Sequence, residues 1–172
     1  MDESISLLIY KDDISLQLSG PKWLLCERLP MLDVLLDGKF SITKNEDGEI
    51  MIGYPSEGLE LLCEDDIIQF ILKKQILHIE ALSLETFASL NRFLDYFSAS
   101  SLRKMMAEYV VQDLVFRVDE SDWIIFIDLL YDLFASNMLP PNWISPRVEM
   151  SPIFLDKEPI PGRIAKVLEL FK

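Results

Sequence analysis

Catalysis near neutral pH draws on histidines, paired carboxylates or activated thiols, and this chain holds few candidates for such roles. His78 is its only histidine and sits in the apolar, strand-like run Ile76-Leu77-His78-Ile79. No cysteine stands near it to complete a zinc site, and no GxSxG turn supplies a nucleophile for it to activate. A structural histidine is expected. Cys26 and Cys63 are the only cysteines, far apart and without CxxC spacing. They read as two buried, reduced thiols of an intracellular protein, with a disulfide between them as the alternative. Asp12-Asp13 and Glu64-Asp65-Asp66 lack the alternating oxygen spacing of a calcium loop, and turn chemistry and helix N-terminal charge account for them. Asp37-Gly38-Lys39-Phe40 has neither the glycine run nor the Ser/Thr of a phosphate-binding loop. Asp128 and Asp132, at i and i+4 on one expected helix, repel each other by a few tenths of a kcal/mol. They form either a thin solvated strip or a docking point for a basic partner, including Arg163 and Lys166 of the chain's own last helix. No catalytic, cofactor-binding or metal-ligating residue is expected, and the chain reads as a protein that is not an enzyme.

Bulk properties narrow the partners. The 172 residues suit one domain, or one domain with an extension. Hydrophobic residues make up 50%, with a mean hydropathy of +0.21, a surplus that suits a generous core or a face that meets another subunit. The formal net charge of −13 argues against a nucleic-acid surface, which needs clustered cations, and against binding to anionic membranes. Asp2 and Glu3 stand at the N-terminus without a basic flank, so no secretory signal is expected. The longest apolar runs, such as Trp123 to Ile127, fall far short of the ~20 residues of a spanning helix.

The elements that position these residues can be read in order. Ile5–Tyr10 and Ile14–Leu18 read as strands, the second alternating apolar and polar residues, around the turn Lys11-Asp12-Asp13, an opening hairpin. A helical pattern begins at Lys22. Pro30 divides it into two short helices, standing in the first turn of the second, with Gly38 just past its end. Phe40–Lys44 and Glu49–Gly53 are expected strands joined through Asp47-Gly48, and Leu59–Leu62 another. Ile67–Lys74 reads as a helix with acids before it and Lys73-Lys74 at its end. Ile76–Ile79 is a further short strand. Ser83 is placed to cap a helix whose stripe is Phe87, Leu90, Leu94 and Phe97. Leu102, Met105, Met106, Tyr109 and Val110 then mark an amphipathic helix, and the aromatic and Met positions here are assigned to the core. Asp119 or Ser121 can cap a helix to about Asn137 that is apolar around most of its circumference and must be buried on more than one side. Six of the nine prolines lie within residues 138–162, an extended connector to a last amphipathic helix through Ile164, Val167, Leu168 and Phe171. The expected class is α+β, a small sheet covered by short helices.

The order of these pieces resembles a BTB/POZ interaction domain over residues 2 to 110. Leu25, Cys26, Arg28, Pro30, Leu35, Leu36, Gly38 and Phe40 are similar to the family's first helical stretch, and Ile67–Ile79 and Leu84–Val110 follow its later order and apolar spacing. The related adaptor subunits of SCF-type ligases share the fold core. Two positions depart from the pattern. Pro21-Lys22 stands where the family commonly carries His-Lys, in its dimer region. Ile42, two residues after Phe40, stands where cullin-recruiting members often carry a glutamate.

The resemblance implies a BTB/POZ-like domain over 1–110, with a helical extension and Pro-rich connector over 111–172. It also implies a non-catalytic, cytoplasmic or nuclear protein that self-associates or links a substrate to a cullin-type ubiquitin ligase. Partner contact is expected at Leu36, Phe40 and Tyr96. The alternative is a structural or assembly scaffold in a larger particle, which the apolar extension and the missing glutamate favour. An unrecognised enzyme would need a polar pocket with a shifted pKa.

Overall fold

The computed structural model describes residues 3–75, 82–112 and 120–139. The expected strand at Ile76–Ile79, His78, Asp119, the connector from Pro140 onward and the last helix with Arg163 and Lys166 lie outside the described residues. The chain divides into two compact units, Met1–His78 with Glu85–Leu102, and Ile79–Leu84 with Arg103–Lys172. The fold is α+β, and among the described residues its sheet is four-stranded and mixed, in the order β2 (Ile14–Pro21), β1 (Ser4–Lys11), β4 (Ile50–Gly53), β3 (Thr43–Lys44).

In the first unit, β1 (Ser4–Lys11) and β2 (Ile14–Pro21) form the expected hairpin, with Asp12 at φ 53 in its two-residue turn. β4 (Ile50–Gly53) returns parallel to β1. The register sets Leu7 beside Leu18 and Ile50, and Ile9 beside Leu16 and Ile52. All six are buried, because alternate residues of neighbouring strands share a face. The helices between the hairpin and β4 are α1 (Lys22–Arg28) and α2 (Met31–Leu35), with Pro30 as N-cap of the second. Arg28 donates from Nε to the Leu72 carbonyl at 3.2 Å, at the C-terminal end of α3 (Asp65–Lys73), where a cation suits the helix dipole. α3 carries Asp65 and Asp66 in its first turn and Lys73 in its last, as its sequence suggests.

Two strand expectations are corrected. Leu59–Leu62 forms a 3-10 turn. Its apolar run is too short for periodicity to separate strand from helix, and Gly58, left-handed at φ 92, turns the chain into it. The strand expected over Phe40–Lys44 shrinks to β3 (Thr43–Lys44). Gly38 at φ 89 leads out of the helix pair, and Phe40 and Ile42 are exposed rather than alternating across a sheet.

α4 (Leu84–Tyr96) begins directly after Ser83. Its stripe Phe87, Leu90, Leu94 and Phe97 is buried as expected, and Phe93 joins it. Tyr54, Phe93, Tyr96 and Phe97 form an aromatic cluster with ring centroids 4.8 to 5.6 Å apart, in the range of favourable edge and tilted contacts.

The second unit takes in most of α5 (Ser100–Gln112) and all of α6 (Trp123–Ala135). Arg103, Met106, Ala107 and Val110 of α5 are buried there, while Met105 and Tyr109, expected on the same stripe, are half-buried. The buried Arg103 donates from Nη2 to Ser136 Oγ at 3.2 Å, just past the end of α6, where the last carbonyls of a helix favour a cation. Asp122, at the end of a 3-10 turn, is the N-cap of α6 in place of Asp119 or Ser121. Phe126, Ile127, Leu129, Leu130 and Leu133 of α6 are buried. Ile124 at 60% and Tyr131 at 47% are exposed, so one long strip of α6 is open despite its apolar composition.

Candidate functional site

Apolar side chains concentrate on the surface around the end of α2. Val34 is 54% exposed and Phe40 53%, and Ile42 is exposed with them, all within nine residues of chain. Leu35 and Leu36 between them are half-buried. The expected partner residues therefore differ in kind. Phe40 presents its ring to solvent, whereas Leu36 contributes part of its side chain to packing and follows the helix as its C-cap. Val34, which was not singled out from sequence, is the more open position. Its signal was the helical spacing itself: Leu32 is buried on the inner face, which turns Val34 outward.

Tyr96 is half-buried. Its ring stands edge-on to Tyr54 and Phe97, and its hydroxyl donates to the Gly53 carbonyl at 3.4 Å. It clasps the end of β4 to α4. Among the described residues no ring contact or side-chain hydrogen bond joins it to Leu36 or Phe40. Tyr54 beneath it is buried, with no partner for its hydroxyl in hydrogen-bond geometry. Burial raises the Tyr54 pKa, outweighing the lowering by nearby Ser56 and Arg92.

Asp128 and Asp132 lie on the open strip of α6 with Ile124 and Tyr131, and both are exposed. Neither residue is free, and the strip is an acidic and apolar helix face. It belongs to the second unit, and the α2 surface to the first.

Polar chemistry gathers on the outer face of the sheet. Ser6 Oγ and Ser19 Oγ lie 2.7 Å apart, as expected for a directly opposed cross-strand pair. Glu49 accepts from Gln17 Nε2 at 2.6 Å and from Asn45 Nδ2 at 3.0 Å. A depression of about 580 Å³ adjoins this network, lined by Glu3, Ser6, Ser19, Lys44 and Ile50 among others. Ser6 Oγ also donates to Glu49 Oε2 at 3.4 Å, so the hydroxyl pair and the Glu49 carboxylate form one network that ties the sheet surface together. Among the described residues no group of three or more His, Cys, Asp or Glu is placed to hold a metal ion, and no helix is long and apolar enough to cross a membrane.

The thiols differ from the expected buried pair. Cys26 is buried, but Cys63 is exposed, and both are free. Burial raises the Cys26 pKa, and the Asp33 carboxylate raises it further. Cys63 turns its sulfur toward the Ser15 and Leu59 carbonyls, each 3.4 Å away, and partial burial with the Glu60 charge raises its pKa as well. Both are poor nucleophiles at neutral pH. Iodoacetamide should modify Cys63 first, with Cys26 at least ~10-fold slower until the protein unfolds. Peptide mass spectrometry over a time course reads this, and labelling of Cys26 at the rate of Cys63 would contradict the burial.

No protein-family model, curated protein or solved structure matches the chain.

Proposed function

We propose that the chain is a non-catalytic protein-interaction module of BTB/POZ type, working in the cytoplasm or nucleus. It buries apolar surface against a cullin-type scaffold or a second subunit. The observation that carries the reading is the exposed apolar run Val34, Phe40 and Ile42. Such a run costs solubility unless a partner covers it, and aromatic anchors of this kind dominate interface energies. The element order supports the family reading over residues 2 to 110: a hairpin, two short helices, the short β3, β4 returning parallel to β1, then α3, α4 and α5. A scaffold reading is favoured by one further observation, the second open strip with Ile124 and Tyr131 on α6.

The test is titration of the full chain with cullin N-terminal domains, read by light-scattering mass. A stable complex is expected. Val34→Asp with Phe40→Asp should weaken it at least ~30-fold, the loss of one hot spot, while shifting the melting temperature by no more than ~2 °C, as for surface substitutions. No complex, with a mass at least twice the 19.9 kDa of the chain, would move the reading to the scaffold. A 19.9 kDa species throughout would remove both.

A further inference from the structure

The sheet has a notch at the start of β1. That strand begins at Ser4, whereas its ladder with β4 begins only at Leu7↔Ile50. The residues before Ile50 bond among themselves instead of running on beside β1. Gly48 gives its N–H to the Asn45 carbonyl, and Asn45 gives its own to the Glu49 carbonyl. The Glu49 N–H goes to Asn45 Oδ1 at 2.9 Å. The space left beside Ser4, Ile5 and Ser6 belongs to the depression of about 580 Å³, which Lys44, Gly48 and Ile50 line from the β3–β4 side. Its volume is that of a small-ligand pocket, ~300–1,000 Å³. The glycines at its rim show the opening directly: a Cβ on Gly20 or on Gly48 would meet nothing within 4 Å.

The register determines which main-chain groups face the notch. The Lys22 N–H bonds the Glu3 carbonyl at 2.7 Å on the β2 side, and the Tyr54 N–H bonds the Tyr10 carbonyl at 2.8 Å on the β4 side. Successive residues of a strand direct their main-chain groups to opposite sides. Odd-numbered residues of β1 therefore bond β2, and even-numbered ones look toward β4. The Ile50 N–H meets the Ser6 carbonyl where the ladder starts. The Ser6 N–H and both main-chain groups of Ser4 have no strand opposite them. Side chains follow the same alternation. Ile5, Ile50 and Lys44 lie on the inner side of the notch, and Ser4, Ser6 and Ser19 on the outer.

We infer that this notch binds the C-terminal end of a partner chain, an extended segment with an apolar last residue and a free carboxylate. The segment lies parallel to β1, in line with β4. Its last residue donates its N–H to the Ser4 carbonyl, and its carboxylate accepts from the Ser6 N–H, as in recognition by strand addition. Lys44 supplies the cation for the carboxylate. It lines the depression, and among the described residues it takes part in no ion pair. Glu49, the neighbouring carboxylate on the outer side, is already engaged by Gln17 and Asn45. The last side chain then falls on the inner side beside Ile5 and Ile50, and the one before it beside the hydroxyls of Ser4 and Ser6. Glu3, one residue before β1, also lines the depression and favours a basic residue further back in the segment. The opposite direction would bring a positive terminus toward Lys44, so charge complementarity fixes the polarity. The site does not rest on the role of the α2 surface.

The experiment titrates the full chain with fluorescent hexapeptides, read by polarisation, with amide hydrogen exchange on the same samples. The peptides carry arginine near the N-terminus, serine at the penultimate place and valine or leucine at the last. Saturable binding below ~1 mM is expected. A terminal carboxamide in place of the carboxylate, or aspartate as the last residue, should weaken it at least ~10-fold. Lys44→Glu should do the same while melting like wild type, because Lys44 is exposed on a two-residue strand. The Ser4 and Ser6 amides should exchange at least ~5-fold more slowly with peptide bound, while those of Ile5 and Leu7, already bonded to β2, stay unchanged. Val34→Asp should bind the peptides as wild type does, which separates this site from the α2 surface. No binding by any of the peptides would overturn the proposal. So would equal binding of the carboxylate and carboxamide forms, or protection confined to amides outside Ser4–Ser6.

Discussion

Leu94→Asp is expected to abolish the cooperative thermal transition of the protein. Leu94 is fully buried in α4, between the fully buried Leu90 and Phe97 of the same stripe. Its carbonyl accepts from the Ala99 N–H at 2.7 Å, closing the C-terminal end of the helix. An aspartate there meets three penalties at once: lost apolar burial, a cavity where the longer side chain stood, and a carboxylate without a partner. Their sum, about 4 kcal/mol or more, is comparable to the whole stability of a small domain. Circular dichroism should show no sigmoidal melt, and the amides of α4 should exchange at near-random-coil rates. Leu94→Ala, which creates the cavity alone, should cost about 2–5 kcal/mol and still melt cooperatively. A folded Leu94→Asp with an unchanged midpoint would refute the assignment of α4 to the core.

The contrast between Leu94 and other positions shows which parts of this fold are legible in sequence. Local signals carried well. Asp47-Gly48 gave its turn, with Gly48 at φ 78, Pro30 parted α1 from α2, and period-2 alternation gave the hairpin. Non-local features were not visible. Nothing near Ile50–Gly53 says that it pairs parallel with β1, since parallel pairing joins segments separated by a crossover. Tyr54 gave no sign of its place in the aromatic cluster, because its partners come from α4. The apolar density of α6 suggested burial on more than one side, yet Ile124 and Tyr131 are open with Asp128 and Asp132. Composition counts apolar residues, while burial depends on how many neighbours a helix has. At the α2 surface, the sequence marked Phe40 and Leu36 through a resemblance, and the structure adds Val34 and separates the exposed from the half-buried.

Gly58 is the position where sequence is least informative and a large effect is expected. It turns the chain into the 3-10 segment at φ 92 and ψ 7, a conformation that costs an L-residue about 1–2 kcal/mol. A Cβ placed there would overlap Ser89 Oγ, meet Ser89 Cβ at 3.0 Å and reach within 3.4 Å of Arg92 Nη2. Ser89 cannot easily yield. It is 2% exposed, and its hydroxyl accepts from Arg92 Nη2 at 3.0 Å. The same loop is held from its other side by Lys11, which bonds the Pro55 carbonyl at 3.3 Å and pairs with Glu57 at 3.1 Å. Backbone strain and overpacking therefore add, and Gly58→Ala should destabilise by roughly 2–4 kcal/mol. Gly48→Ala supplies the control, since Gly48 has a similar φ of 78 but open space where a Cβ would stand. It should cost only the strain, about 1–2 kcal/mol, so urea midpoints of the two variants separate the contact from the backbone. The close approach to Ser89 predicts one more result. Adding Ser89→Gly to Gly58→Ala removes the obstructing atoms, and the double variant should lose less stability than the sum of the two singles. Strict additivity in that cycle would place the cost of Gly58→Ala in the backbone alone and detach the 54–58 loop from α4.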